Sequence, residues 1–273
     1  MSLFKKLSHA SPFFLIAGPC VIEEMDTMFR IAEHLVNLAR KSGIELIFKS
    51  SYKKANRSSG DSYSGPGMEA GLKLLAKLKA EFGFPLLTDV HECAEVKAAA
   101  EVCEILQIPA FLSRQTDLIQ AAAMTKRIIN IKKGQFMAPE DMRSAALKAN
   151  AVGNEDILLT ERGSSFGYHN LVVDFRGFAI MREFGLPIVY DVTHSLQRPS
   201  LGTSSGGNPE YAMMMAQAAI ATGKVTGLFV ETHIDPAKAK SDAATMLPLA
   251  QMERLIINCK KIGNTVEELG AEL

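Results

Sequence analysis

Cys20 stands directly behind Gly18-Pro19, where the apolar run of LIAGPCVIE (residues 15–23) breaks off, and Glu23 follows closely. A thiol in that place reads either as a small buried hydrophobe or as a metal ligand or nucleophile. Ionisable groups recur behind seven further apolar runs. They are Lys49-Ser50-Ser51, Asp89-Val90-His91-Glu92, Arg114-Gln115-Thr116-Asp117, Lys132-Lys133-Gly134-Gln135, Glu161-Arg162-Gly163, Asp191-Val192-Thr193-His194 and Glu231-Thr232-His233. Lys49, Lys54, Arg57, Arg114, Lys132 and Arg162 together would make a dense positive field, which attracts phosphate and carboxylate groups. Lys53 and Lys133 alternate with them and read equally well as solvated neighbours.

A softer set also emerges. Cys20, His194, Glu231 and Asp242 offer one thiolate, one imidazole and two carboxylates, a mixture suited to Zn2+, Fe2+ or Mn2+. Taken singly, Cys20 reads as core and His194 as a partner for backbone groups, while His91 and His233 are rival ligands. Cys93, Cys103 and Cys259 fall on helical patterns and are assigned to packing or surface. The methionines of YAMMMAQ are assigned to helix packing.

The elements that must position these groups alternate regularly. β-like runs at 13–19, 44–51, 85–90, 105–111, 128–134, 157–163, 188–194 and 227–233 are separated by amphipathic segments, such as MFRIAEHLVNLARKSG, GLKLLAKLKAEFG, AEVKAAAEVCEIL and YAMMMAQAAIATGK. Near-continuous apolar strands between helices predict a covered parallel sheet. Eight units in 273 residues, with no linker or composition shift, predict one α/β domain over 1–273, a (β/α)8 TIM barrel with a short N-terminal extension. A doubly wound open sheet is the alternative, weakened because no GxGxxG follows the first strand. In a barrel the strand C-termini converge on one face, and strands one and eight are neighbours, so Cys20 can meet His194, Glu231 and Asp242.

Composition removes other classes. The chain is 47% hydrophobic and 22% charged, with 30 basic against 30 acidic residues, so it carries no global nucleic-acid footprint. No stretch approaches the roughly 18 apolar residues a membrane span needs, and PFFLIAG is too short for a signal peptide core. Four cysteines without a CxxC pair point to a reducing, cytoplasmic setting.

At FKSSYKKANRSSGDSYSGPGME, and again at TDVHE, IPAFLSRQTDL, NIKKGQF, LTERGSSFGYHNLVVDFR, DVTHSLQ and FVETHIDPAKAKSDAATMLPL, the chain resembles the 3-deoxy-D-manno-octulosonate 8-phosphate (Kdo8P) synthases. The likeness spans nearly the whole chain. Sister enzymes using erythrose 4-phosphate carry a KPRTS-like element where this chain has KANRSS, so Asn56 favours the arabinose 5-phosphate branch.

The resemblance implies a transferase of lipopolysaccharide (Kdo) precursor synthesis, working as a homotetramer. It joins phosphoenolpyruvate, D-arabinose 5-phosphate and water into the eight-carbon phosphosugar acid and phosphate. It implies that Lys54, Arg114, Lys132 and Arg162 grip phosphoenolpyruvate, with Ser51 and Gln135 in the same pocket. Asn56, Arg57 and Ser58 would hold the pentose phosphate, a neighbouring subunit assisting, and Asp89 and His91 lie near the reacting centre. Metal-independent members carry Asn at the position of Cys20. Cys20 with His194, Glu231 and Asp242 therefore implies the metal-dependent class, with Lys54 or His194 as proton donor and Asp242 in the catalytic set.

Three rivals stand beside this reading. One is another phosphoenolpyruvate-condensing synthase, making a seven-carbon phosphosugar acid or a sialic acid. The second is a Schiff-base aldolase using Lys132 or Lys49. The third is a regulatory barrel that binds sugar phosphates without chemistry.

Overall fold

The computed structural model describes residues 1–55, 63–199 and 206–270. Eight parallel strands run in chain order: β1 (Phe14–Gly18), β2 (Leu46–Lys49), β3 (Leu86–Asp89), β4 (Ile105–Ile108), β5 (Ile128–Lys132), β6 (Ile157–Glu161), β7 (Ile188–Asp191) and β8 (Gly227–His233). Each pairs with the next, and β8 pairs back on β1, with Phe14 opposite Gly227 and Gly18 opposite Glu231. The sheet is a closed (β/α)8 barrel, not the open doubly wound alternative.

The helices are α1 (Leu3–Ser8), α2 (Met25–Ser42), α3 (Met68–Phe82), α4 (Cys93–Val102), α5 (Thr116–Met124), α6 (Met142–Asn150), α7 (Arg176–Arg182), α8 (Ala212–Ala221) and α9 (Met252–Glu268). Gly43 and Gly83 end α2 and α3 in the left-handed conformation, as helix stops do. One boundary differs from the sequence pattern. AEVKAAAEVCEIL does not stay helical: α4 stops at Val102, Cys103 is an extended cap, and Ile105-Leu106 begin β4. The β-branched isoleucines and the pairing of Leu106 with Ile129 outweigh a continued helical period. Cys103 is buried all the same, as is Cys259, while Cys93 is exposed.

Strand alternation divides the apolar residues into two sets. Leu15, Ala17, Leu46, Phe48, Leu106, Ile131, Leu159 and Tyr190 pack outward against the helices. Phe14, Ile16, Ile47, Leu87, Ile105, Ile128, Leu158, Val189 and Phe229 fill the lumen, where Leu7 of α1 joins them and closes the N-terminal end. Two residues further along each inward row stand Lys49, Asp89, Gln107, Asn130, Thr160, Asp191 and Glu231, all buried. The parity that fills the floor of the barrel with hydrocarbon thus lines its C-terminal mouth with polar groups. Gly18 shows how tight that mouth is: a Cβ there would lie 2.0 Å from the Lys49 carbonyl oxygen.

Candidate active site

One pocket at the strand C-termini is lined by Lys49, Lys54, Asp89, His91, Gln107, Lys132, Gln135, Arg162 and His194, with Pro109, Ala110 and Phe111 along one side. So dense a cationic set survives burial because carboxylates are interleaved with it. Lys49 Nζ reaches Glu231 Oε1 at 2.5 Å and the Cys20 carbonyl at 3.0 Å. Lys132 pairs with Asp191 and sits 4.0 Å from the centre of the Phe229 ring, a cation–π contact. Lys54 Nζ lies 3.8 Å from Asp89 Oδ2.

Burial alone would raise these carboxyls. The ammonium groups of Lys49 and Lys54 nevertheless hold Asp89 well below the usual carboxylate range, and His194 with Lys132 does the same for Asp191. Lys54 feels burial in the opposite sense, but its acidic neighbours keep its ammonium well above the ordinary lysine value.

Arg162 is different. It is buried, its Nη2 donates to Gln197 Oε1 at 2.8 Å, and its Nη1 has no hydrogen-bond partner among the described residues. Gln135 Oε1 is also buried without a hydrogen-bond partner among them. Unmet buried polar atoms facing one pocket are the mark of a ligand site; the Arg162 donor suits an anion, and the Gln135 oxygen a hydroxyl or N–H.

Beneath the pocket a hydrogen-bonded ladder crosses four strands. Thr160 Oγ1 donates to Asn130 Oδ1 at 2.6 Å, Asn130 Nδ2 to Gln107 Oε1 at 2.8 Å, and Gln107 Nε2 to Asp89, which also accepts from Ser51. An ionised Asp89 can only accept, and that fixes the direction of every bond back to Thr160. Thr160→Val should leave Asn130 Oδ1 unpaired and cost about 1–3 kcal/mol in a denaturant titration. Thr160→Ser should restore most of that loss, and a Thr160→Val protein as stable as the parent would show the ladder to be idle.

The soft set comes together on the β1/β8 side. Cys20 Sγ, a Glu231 oxygen and an Asp242 oxygen lie within 4.8 Å of one another. The thiol donates to Asp242 Oδ2 at 2.9 Å, and Ser241 Oγ lies 3.0 Å from its sulfur. His194 Nε2 stands 3.6 Å from Glu231 Oε2 and 3.8 Å from Asp242 Oδ2. Its Nδ1 is 2.9 Å from Asp191 Oδ2, and its backbone N–H donates to Asp191 Oδ1. Asp191 thereby turns the second ring nitrogen toward the two carboxylates, the arrangement found around metal-bound histidines. Glu231 Oε2 is buried without a hydrogen-bond partner among the described residues. Burial, then Asp242 and Glu231, push the Cys20 thiol well above its ordinary value. A thiol, an imidazole and two carboxylates facing inward, with a carboxylate oxygen left unmet, fit a divalent cation.

Several expectations are sharpened or corrected. Arg114 is exposed in the turn after β4 and is not among the residues that line this pocket. Lys133 is not a solvated neighbour. It is wholly buried, contacting the Gly134, Met137 and Gly163 carbonyls, Ser164 Oγ and Glu161. Lys53 is half-buried between Glu92 and Glu95. The rival ligands look elsewhere, His91 to Glu95 at 3.5 Å and His233 to Glu23 at 3.4 Å. Asn56, Arg57 and Ser58 lie outside the described residues. Sequence reasoning assigned no role to Asp191, Gln107, Asn130, Thr160 or Gln197. For the strand residues the signal was there, a polar residue two positions beyond an inward apolar one.

The DAHP synthetase I family matches residues 8–268. A 2-dehydro-3-deoxyphosphooctonate aldolase of Acidithiobacillus ferrooxidans is 53% identical over 257 residues, covering 94% of this chain and 91% of that one. A protein of the same name from Trichlorobacter lovleyi is 52% identical over 252 residues, 92% of each chain. Another from Stenotrophomonas maltophilia is 53% identical over 246 residues, covering 90% of this chain and 89% of its own. With its barrel, its anion pocket and this degree of identity, the chain belongs to the DAHP synthetase I family and, within it, to the 2-dehydro-3-deoxyphosphooctonate aldolases.

Proposed function

We propose that this protein condenses phosphoenolpyruvate with D-arabinose 5-phosphate and water, giving 3-deoxy-D-manno-octulosonate 8-phosphate and inorganic phosphate for Kdo synthesis. The observation that carries this reading is the buried Nη1 of Arg162, without a partner among the described residues, beside Lys54 and Lys132 in a chain with no net charge. That pocket suits a small molecule bearing phosphate and carboxylate. The names of relatives at 50–53% identity support this product over the heptulosonate made from erythrose 4-phosphate.

The residues divide the work as follows. Arg162 and Lys132 hold phosphoenolpyruvate, Gln135 beside them. Carbon three forms the new bond to the pentose aldehyde, water adds at carbon two, and phosphate leaves with the former enol oxygen. Lys54 is held protonated and supplies the alkoxide proton, with His194 as the alternative donor. Cys20, His194, Glu231 and Asp242 would hold a divalent metal, Zn2+, Fe2+ or Mn2+, whose chemistry when bound is to orient and polarise an oxygen ligand.

A Schiff-base route is disfavoured. Lys49 is ion-paired with Glu231 and Lys132 with Asp191; burial nevertheless lowers Lys132 below the ordinary lysine value, so borohydride plus substrate is the test, and it should trap nothing. The free cysteines are in keeping with a cytoplasmic setting, and no helix of the described residues is long and apolar enough to cross a membrane. The homotetramer rests on the family resemblance, and sedimentation tests it.

The decisive assay is phosphate release from phosphoenolpyruvate with arabinose 5-phosphate, erythrose 4-phosphate or N-acetylmannosamine as partner. Turnover is expected with the first alone. Turnover with either of the others and not with arabinose 5-phosphate would reverse the assignment.

A further inference from the structure

Glu23 follows Cys20 by three residues, and nothing in the proposed reaction uses it. Its carboxylate is nonetheless almost fully buried and joins three chain segments. Oε2 lies 3.4 Å from His233 Nε2, two residues beyond Glu231. Oε1 accepts the Lys240 backbone N–H at 3.0 Å, two residues before Asp242. Each segment that Glu23 joins, its own included, carries one of the candidate ligands Cys20, Glu231 and Asp242.

The 234–246 segment needs such a brace. Between β8 and the short strand Leu247–Pro248 its only regular element is the single turn Pro236–Lys238. Asp242 itself sits in the left-handed region, at φ 49°. A non-glycine residue there is held by its surroundings rather than by preference. A second tie reinforces the first. Lys240 Nζ pairs with Glu24 and lies 4.6 Å from the Tyr63 ring, whose hydroxyl donates to the Ile22 carbonyl at 2.9 Å.

We propose that Glu23 is the positioning residue of the metal site, fixing the Asp242 loop and the end of β8 against the Cys20 turn; this rests on the metal reading above. Groups hydrogen-bonded directly to metal ligands typically contribute ten- to hundredfold in metal affinity, and Glu23, one contact further out, should contribute toward the lower end of that range.

The test uses the metal-stripped full-length protein and two readouts. Zn2+ affinity is measured by competition with a chromophoric chelator, and hydrogen exchange of residues 234–246 is measured without metal. Glu23→Ala should bind Zn2+ about tenfold more weakly and exchange faster through 234–246. Glu23→Gln keeps an oxygen for the Lys240 N–H but loses the charge facing His233, so it should fall between Glu23→Ala and the parent. Glu69→Gln, at an exposed pair with Lys73, should match the parent in both.

Should Glu23→Ala fail to fold, Glu23→Gln carries the test alone. Unchanged exchange through 234–246, or unchanged Zn2+ affinity where Cys20→Ser weakens it, overturns the proposal. If the parent and Cys20→Ser bind Zn2+ equally weakly, the metal reading fails and takes the metal role of Glu23 with it, and faster exchange in Glu23→Ala then shows only a brace of the loop.

Discussion

Stripping the protein of metal with a chelator should slow phosphate release at least about a hundredfold, and Zn2+, Fe2+ or Mn2+ should restore it. A bound cation of this kind typically lowers a barrier by several kcal/mol, and each 1.36 kcal/mol is tenfold in rate. The state of Cys20 makes the expectation sharper. Its thiol is raised well above the ordinary value by burial and by Asp242 and Glu231, so near neutral pH the metal-free site carries a proton that a ligand thiolate must lose. Binding should therefore release a proton, and affinity should climb about tenfold per pH unit around neutrality. Chelator competition at several pH values reads that slope, and Cys20→Ser should flatten it. Cys20→Asn, the residue of the metal-independent members, should turn over without metal and ignore the chelator. Full activity of the parent after verified metal removal would end the metal assignment.

The barrel was legible because its strands are apolar on both faces, with inward residues on a packed floor and outward ones under helices. Positions at strand ends were legible for the same reason: Lys132, Arg162, His194 and Glu231 stand where a barrel must open to ligand. Long-range partnerships were not. Nothing near Lys49 in the chain tells of Glu231, 182 residues away, and nothing in KKGQ says that Lys132 faces the pocket while Lys133 is enclosed by carbonyls. Pleat parity decides the second point, since consecutive side chains point to opposite faces. RQTD follows an apolar run as ERG does, yet Arg162 is buried and Arg114 exposed, a difference that the pattern does not carry. The polar ladder went unread because Gln107, Asn130 and Thr160 sit singly inside apolar runs. Only the register that sets Gln107 opposite Asn130 makes them a chain.

Lys49→Met should be the most destabilising single change at the site. Lys49 and Glu231 are each 1% exposed and 2.5 Å apart, so neither can turn to water when the other is removed. Methionine fills the volume of the lysine stem but, in the metal-free protein, leaves the Glu231 carboxylate buried without that ammonium, His194 Nε2 lying 3.6 Å from its other oxygen. Losing one partner of a buried pair costs about 3–5 kcal/mol. At about 2–4 °C per kcal/mol for a chain approaching this size, the melting temperature should fall by roughly 6–20 °C. The double variant Lys49→Met/Glu231→Gln removes both charges and should melt above Lys49→Met, since the larger part of the penalty is the unpaired charge rather than the lost attraction. Equal melting of Lys49→Met and the parent would mean that Glu231 is satisfied without Lys49. Activity should fall further than stability alone requires. The same ammonium holds the Cys20 carbonyl at 3.0 Å, so its removal loosens the thiol-bearing turn and the carboxylate of β8 in one step.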